Sequence, residues 1–296
     1  MVISRVPVLS RAAVDRATFR RTDEEWLAKA AVDPSSRVLV VADGQTLVDL
    51  DAEHPRILWW PGDVAPEGER YFLGEQAGEE DTAYFAVAAA LPDREGARPA
   101  GLREIGAALS AADAGLLVNA IALDNWHRTH PRCPRCGALT EIRQGGQLRL
   151  CPGDGSSHFP RTDPAVIMLV HDGADRCLLG RQPSWPERRF SCLAGFVESG
   201  EAAEAAVIRE VAEEVGVTVT DVDYRNSQPW PFPCSLMLGF RARATDETIT
   251  LPDGEIAEAI WLTRQELRDA VSSGAVLLPP PVSIAHQLID EWLDEA

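Results

Sequence analysis

No stretch of this 296-residue chain is apolar for the roughly 20 residues that a bilayer-spanning helix needs, so no membrane role is expected. Positive charge is scarce as well. Lys and Arg number 28 against 46 Asp and Glu, a net charge of −18. That balance argues against a broad electrostatic grip on nucleic acid, which needs basic surface. It leaves room for a small anionic substrate if cations are recruited locally. The chain has no Walker lysine loop and no G-x-S-x-G elbow, so kinase-like and serine-hydrolase chemistry find no support. Internal repeats and low-complexity tracts are missing too. The first residues, MVISRVPVLSRAAVDRATFRR, hold an apolar patch too short and too interrupted by Arg for a secretory signal. They read as the start of a domain rather than a transit peptide, and the ending DEWLDEA carries no recognisable address, so a cytoplasmic location is expected. Six cysteines do not make a disulfide frame: Cys177, Cys192 and Cys234 are scattered and read as reduced residues, while Cys133, Cys136 and Cys151 cluster.

What is present divides into a β-rich stretch with connecting helices (1–129), a cysteine-bearing insert (130–160) and a second mixed domain (161–296). RVLVVADG and QTLVDL read as a hairpin turning at Asp43-Gly44, with RILWW, RYFLG and TAYFAVAAA as further strands. Leu91 to Gly101 reads as a break. After it, Leu102, Ile105 and Leu109 take up helical spacing, and Ser110 with Asp113 starts a longer helix carrying Leu116, Leu117, Ile121 and Trp126. In the last domain, AVIMLVHDG, CLLGRQ, VTVTDVDYRNSQ, SLMLGFRARAT and EAIWLT read as strands. Thr263 with Glu266 caps a short helix, and Ile284, Leu288, Ile289 and Trp292 mark a terminal one. Strands mixed with flanking helices indicate α/β or α+β layering.

The segment GFVESGEAAEAAVIREVAEEVG (Gly195 to Gly216) is the most informative. On a helix, Ala203, Val207, Val211 and Val215 form one buried stripe. Glu210, Glu213 and Glu214 are expected to project together from the opposite side. Glu210 and Glu214, like charges at i and i+4, destabilise an isolated helix by roughly 0.2–0.5 kcal/mol. A solvated acidic face is the bland explanation; a hard divalent cation, which takes carboxylates, waters and substrate phosphates, reverses the sign of that cost.

The segment fills every fixed position of the Nudix box, G-x5-E-x7-R-E-U-x-E-E-x-G-U, with Gly195, Glu201, Arg209, Glu210, Val211, Glu213, Glu214, Gly216 and Val217. The chain therefore resembles the Nudix hydrolases, and the resemblance implies an α/β/α sandwich. It also implies that Glu210, Glu213 and Glu214 hold Mg²⁺ or Mn²⁺ and that one of them helps to activate water. Arg209 and Glu201 would brace the loop and helix by an ion pair, and the Ala194 carbonyl would join the metal site. Which glutamate is the base stays open.

A second stretch, SQPWPFPCS (Ser227 to Ser235), has three prolines in five residues, which cannot lie in a central strand. It reads either as a loop plugging the core edge or as a stiff wall presenting Trp230 and Phe232 to a planar ring, with Gln228 and Ser235 as polar anchors. With the Nudix box it is similar to the signature of the NADH pyrophosphatase subfamily, S-Q-P-W-P-F-P-x-S, Cys234 standing in the variable place. That resemblance spans essentially the whole chain and implies an α+β protein: a β-rich N-terminal domain, a zinc-ribbon-like insert and a C-terminal Nudix domain. It implies hydrolysis of NADH or NAD⁺ to the (reduced) nicotinamide mononucleotide and AMP, removal of NAD caps from RNA 5′ ends, and a homodimer. By the same resemblance, the substrate would meet Gln228, Pro229, Trp230, Pro231, Phe232, Pro233, Cys234 and Ser235, and also Phe159, Phe196, Ala285 and Arg103. Glu255 would be an acidic residue at the metals, one of the Mg²⁺ or Mn²⁺ ligands and of the catalytic carboxylates. Each of these singly placed residues has a bland rival in core packing or an ordinary loop carboxylate.

Cys133-Pro-Arg-Cys136 followed by Cys151 has zinc-ribbon spacing, but Asp154 stands where the family pattern has a fourth cysteine. Three readings stay open: Zn²⁺ on Cys133, Cys136, Cys151 and Asp154; Zn²⁺ with His158 as fourth ligand; and a ribbon without metal. Two rival functions also stay open. One is a binding module that senses NAD without cleaving it, against which the complete set of box glutamates speaks. The other is an enzyme acting mainly on capped RNA, for which Arg128, Arg132, Arg135 and Arg143 would have to form a local basic patch.

Overall fold

The structure is a computed structural model and describes residues 6–11, 14–49, 54–76, 82–252 and 254–295. Leu50, at the end of the expected QTLVDL strand, lies outside the described residues, as does Asp253 in the loop before Glu255. The chain forms two compact units. One contains residues 6–10, Asp163–Pro229 and residues 235–295; the other contains most of the first 162 residues together with Trp230–Cys234. No described helix is long and apolar enough to cross a membrane.

The C-terminal unit is an α/β/α sandwich around a mixed sheet. Its strands run in the order Val219–Trp230, Ser235–Ala244, Asp163–His171, Arg176–Arg181 and Glu258–Thr263, and Leu193–Phe196 also pairs with Asp163–His171. Asp163–His171 is the hub. Its odd and even residues face opposite ways, as the strand period of two demands. Val166, Met168 and Val170 pack with Val207, Val211 and Val215 of the helix Ala203–Val215. Ile167 and Leu169 pack on the other face with Leu288, Ile289 and Trp292 of the helix Ile284–Asp294. A strand apolar on both faces needs a helix on each, and the sequence supplies one of each. Thr263 and Glu266 form the reciprocal capping box that starts the helix Arg264–Ser272.

In the N-terminal unit, a four-stranded sheet runs in the order Trp60–Pro61, Arg37–Val41, Thr82–Ala88, Glu69–Gln76. The expected hairpin is a turn without a ladder. Ala42 and Gln45 exchange both backbone hydrogen bonds (3.1 and 2.9 Å) across Asp43 and Gly44, both in the left-handed region. The strands then part. Arg37–Val41 pairs in parallel with Thr82–Ala88, and Gln45–Asp49 pairs with Ala97–Gly101. Val38 to Val41 are all buried, which fits an inner strand rather than one arm of a two-stranded hairpin. The stretch read as a break thus contains a strand, with Pro99 in a two-stranded ladder where its missing N–H is tolerated. The helix Ala111–Thr129 starts at Ser110, whose hydroxyl accepts from the Asp113 amide at 3.1 Å. Beyond it, Glu141–Arg143, Leu148–Leu150 and Ser157–His158 make the small ribbon sheet.

Candidate active site

The strand Leu193–Phe196 delivers Ala194, Gly195 and Phe196 to one end of the C-terminal sheet, and a loop through Gly200 (φ +87°) leads into the helix Ala203–Val215. The helix ends at Gly216, whose left-handed φ of +71° completes its cap; a Cβ there would lie 1.9 Å from Thr250 Oγ1. Gly195 is needed for closeness rather than for an unusual backbone angle. A Cβ at this position would sit 1.9 Å from the Glu210 carboxyl carbon. Backbone and carboxylate are thereby pressed together at the mouth of a cavity of about 820 Å³.

Arg209 organises the acids. Its Nε and Nη2 donate to the two Glu201 carboxylate oxygens, each at 2.8 Å, and Nη1 donates to Glu210 and Glu213, each at 2.9 Å. Nη2 also donates to the Phe196 carbonyl at 2.9 Å. This fork is the geometry in which guanidinium binds carboxylate most strongly. The Arg209 hydrogen bond, reinforced by the Glu198 backbone, holds the Glu201 carboxyl down at about 2. Burial pushes the Glu210 pKa up. Arg209 opposes that shift, and the nearby charges of Glu213 and Glu255 add to it.

The expectation that the glutamates share a solvent-facing patch opposite the apolar stripe does not hold. Glu210 is 9% and Glu214 3% exposed, whereas the Glu213 side chain is 55% exposed. Helical geometry accounts for this. Glu214 lies seven residues from Val207, only about 20° from the same direction, so it shares the stripe. Glu210 follows Val207 by three residues and flanks it, and Glu213 turns outward. One guanidinium faces Glu201, Glu210 and Glu213, while Glu198 and Glu255 also line the cavity. Hard carboxylate oxygens gathered beside open space suit a divalent cation.

Of the residues expected at the site, Ala194, Gly195, Phe196, Arg209, Glu210, Glu213, Ser235 and Glu255 line the cavity. Phe196 is 60% exposed. Sequence reasoning missed Ala165, Met237, Glu198 and Pro252, which line it as well. Pairing register was the missing signal: Phe196, Ala165 and Met237 stand abreast on three neighbouring strands. Gln228 and Ala285 are elsewhere. Gln228 is fully buried and its Nε2 donates to the Val282 carbonyl at 2.7 Å, tying down the turn before the last helix. Ala285 is 1% exposed, on the core-facing side of that helix's first turn.

Trp230 to Cys234 belong to the N-terminal unit, where Trp230 and Phe232 meet edge to face at 4.8 Å. The Arg103 guanidinium lies 4.3 Å from the Phe232 ring centre and 5.8 Å from that of Trp230. The Asn125 amide donates to the Pro231 and Pro233 carbonyls, each at 3.0 Å, and so fixes the loop. This aromatic platform is rigid and carries a cation on its face. Phe159, in the ribbon segment, is 68% exposed.

In the ribbon, ligand atoms of Cys133, Cys136, Cys151 and Asp154 all lie within 4.8 Å of one another. Cys136 and Cys151 sulfurs are 3.4 Å apart, and Cys133 Sγ is 3.6 Å from Asp154 Oδ2. A tetrahedron of ~2.3 Å zinc–sulfur bonds has edges of ~3.8 Å, so this donor set fits Zn²⁺. His158 is outside the group and meets the Ser156 hydroxyl at 3.0 Å instead. The arginines considered as a basic patch are largely engaged: Arg128 pairs with Asp43, Arg143 with Glu141, and Arg132 donates to the Gly137 carbonyl.

Known proteins show the same arrangement of parts. The NUDIX domain matches residues 161–279, the NADH pyrophosphatase-like rudimentary NUDIX domain residues 35–126, and the NADH pyrophosphatase zinc ribbon domain residues 128–159. The NAD-capped RNA hydrolase NudC of Mycobacterium bovis (strain BCG / Pasteur 1173P2) is 44% identical over 308 residues, covering 97% of this chain and 95% of that protein. Its namesake in Mycobacterium tuberculosis (strain ATCC 25618 / H37Rv) has the same identity and coverage. The human NAD-capped RNA hydrolase NUDT12 is 43% identical over 197 residues, 62% of this chain and 43% of that protein. A complete box around Arg209, a zinc ribbon and relatives matched from end to end lead to one conclusion: the chain belongs to the Nudix hydrolases, in the branch built with an NADH pyrophosphatase-like N-terminal domain.

Proposed function

We propose that this protein hydrolyses the pyrophosphate of NADH and NAD⁺, releasing the (reduced) nicotinamide mononucleotide and AMP, and that it removes NAD caps from RNA. The observation that carries the reading is the cradle of Glu198, Glu210, Glu213 and Glu255 around the 820 Å³ cavity, with Arg209 as the cation that ties Glu210 and Glu213. Glu210, Glu214, Glu255 and the Ala194 carbonyl would hold Mg²⁺ or Mn²⁺. When bound, such an ion neutralises phosphate charge and acidifies a water. Gly195 lets the backbone close on Glu210, Arg209 holds Glu210 and Glu213 in place, and Phe196 offers an exposed ring at the cavity wall for a base. The reading includes Zn²⁺ on Cys133, Cys136, Cys151 and Asp154 as a structural ion, a homodimer and a cytoplasmic location, the last two supported by the family resemblance alone.

The test is a product assay. NADH incubated with the protein and Mg²⁺ or Mn²⁺ is expected to give AMP and the reduced mononucleotide in equal amounts. If neither appears with either metal, the reading is wrong. Capped RNA as main substrate has the names of the relatives in its favour and the engaged arginines against it. Comparing kcat/KM for NADH and NAD-capped RNA in one buffer decides the order.

A further inference from the structure

The N-terminal unit has a small recess of about 40 Å³. Val14, Leu73, Ala112 and Leu116 form its apolar side, and Arg16 and Asn119 its polar side. At roughly 10–15 Å³ for each water-sized site, the space takes about three waters or one small oxyanion.

Arg16 is placed by backbone geometry. Asp15 and Glu75 exchange both backbone hydrogen bonds, at 3.0 and 2.8 Å. Gly74, at φ +142°, lets this segment approach, since a Cβ there would lie 2.3 Å from the Asp15 carbonyl oxygen. The Asp15 carboxylate accepts from the Ala17 amide at 2.8 Å, and Ala17 is buried at φ +41°. From this turn, Arg16 Nη1 donates to Asn119 Oδ1 at 3.1 Å.

That bond fixes the Asn119 amide with its oxygen toward the guanidinium and its nitrogen away from it. Asn119 is 7% exposed, and its Nδ2 finds no acceptor among the described residues. Leaving a buried donor unmet costs more than a typical hydrogen bond gains. Arg21 stands near Arg16, and its buried Nε and Nη2 also lack an acceptor among the described residues. Arg16 keeps an exposed surface and Arg21 is half-buried; partial loss of hydration lowers the pKa of both, their mutual repulsion adds to this at Arg21, and Asp15 acts there in the opposite sense. The recess itself is lined by one guanidinium, Arg16, and by the residue carrying the unmet buried donor, Asn119, with the charge of Arg21 close by, so an acceptor with negative charge would suit it.

We propose that the recess is an anion site, separate from the hydrolytic cavity, which takes a phosphate-type oxyanion on Arg16 and the Asn119 amide, with Arg21 supplying further positive field. The test is calorimetric titration of inorganic phosphate into the full-length, zinc-loaded protein at constant ionic strength, without Mg²⁺ or Mn²⁺. Saturable binding is expected in the wild type. Arg16→Gln should weaken it by about tenfold or more, the scale of one charge-assisted hydrogen bond. Asn119→Asp should abolish it while keeping the protein folded, because the new carboxylate meets Arg16; an unchanged or raised Tm verifies the fold. Turnover of NADH by Arg16→Gln should stay at the wild-type rate. No saturable binding in the wild type, or equal affinity in the wild type and both variants, would overturn the proposal. Acetate binding as tightly as phosphate would overturn the assignment to phosphate-type anions.

Discussion

The ribbon cluster and the glutamate cradle are both sets of potential metal ligands, and they are built on opposite plans. In the ribbon, three sulfurs and one carboxylate converge to within 4.8 Å of one another, two of the cysteines buried. Asp154 is locked as well. The Ser156 hydroxyl and backbone amide hold its carboxyl far below the usual carboxylate range. In the cradle, every donor is a hard oxygen, the carboxylates are spread around 820 Å³ of open space, and Arg209 ties Glu201, Glu210 and Glu213. A closed soft set suits an ion whose work is to hold a fold, and an open hard set suits ions that must share their coordination with a phosphate substrate. The difference teaches that the two regions should fail differently: the cradle in rate, the ribbon in stability.

The largest effect should come from the glutamates proposed to hold metal, among them Glu214, which shares the helix of Glu210 and Glu213. Glu214→Gln is nearly isosteric and removes one charge from a helix face that is 3% exposed at that position. Turnover of NADH should fall by at least about a hundredfold, the scale seen when one charge-stabilising group is lost, while the thermal unfolding curve stays close to wild type. Near-normal turnover would remove Glu214 from the proposed metal site. A large loss of Tm instead would make the glutamate helix a folding element like the ribbon and erase the contrast.

The ribbon should give the opposite pattern. Metal-site binding energy is folding energy where the site exists only in the folded chain. Chelation, or Asp154→Ala, is therefore expected to lower Tm and to lower zinc content measured by inductively coupled plasma mass spectrometry. Asp154→Cys should raise zinc retention, because thiolate is the softer ligand. Less than about a fifth of a zinc per chain in untreated protein would show that the fit of the donors is not used, since a structural zinc is bound close to one per site.

How much of this was legible in the sequence follows from which physical signals are local. The strand in the apolar run AVIMLVHDG, the valine stripe of Ala203–Val215 and the Thr263–Glu266 capping box are short-range patterns, and each is found where it was read. The glutamates could also have been placed, because a seven-residue separation from Val207 puts Glu214 on the buried face. Pairing across strands is not local. Nothing near Ala165 or Met237 says that they will stand beside Phe196. The separation of Arg37–Val41 from Gln45–Asp49 was hidden for the same reason, since the partners that draw them apart come from Thr82–Ala88 and Ala97–Gly101. Gln228 looked like an anchor for a ligand because a motif records identity and not direction; its amide points to the Val282 carbonyl.

The smallest expected effect sharpens the comparison through pH. Glu201 touches no part of the proposed substrate path directly; it holds Arg209, which in turn holds Glu210 and Glu213. Its carboxyl titrates at about 2 in the folded protein against an ordinary value of 4.5. A depressed acid contributes stability that is fully present above the unfolded value and is lost as pH falls toward the folded one. The Glu201–Arg209 contribution should therefore be intact at pH 6 and should fade between about pH 4.5 and 2. Glu201→Gln keeps one hydrogen-bonding oxygen but has no such titration. Its Tm should sit a few degrees below wild type at pH 6, and the gap should narrow steadily as the buffer is taken down through that window. If the gap holds constant to pH 3, the carboxylate is not what braces Arg209. The brace would then have to be assigned to the Phe196 carbonyl, which accepts from the same guanidinium and does not titrate.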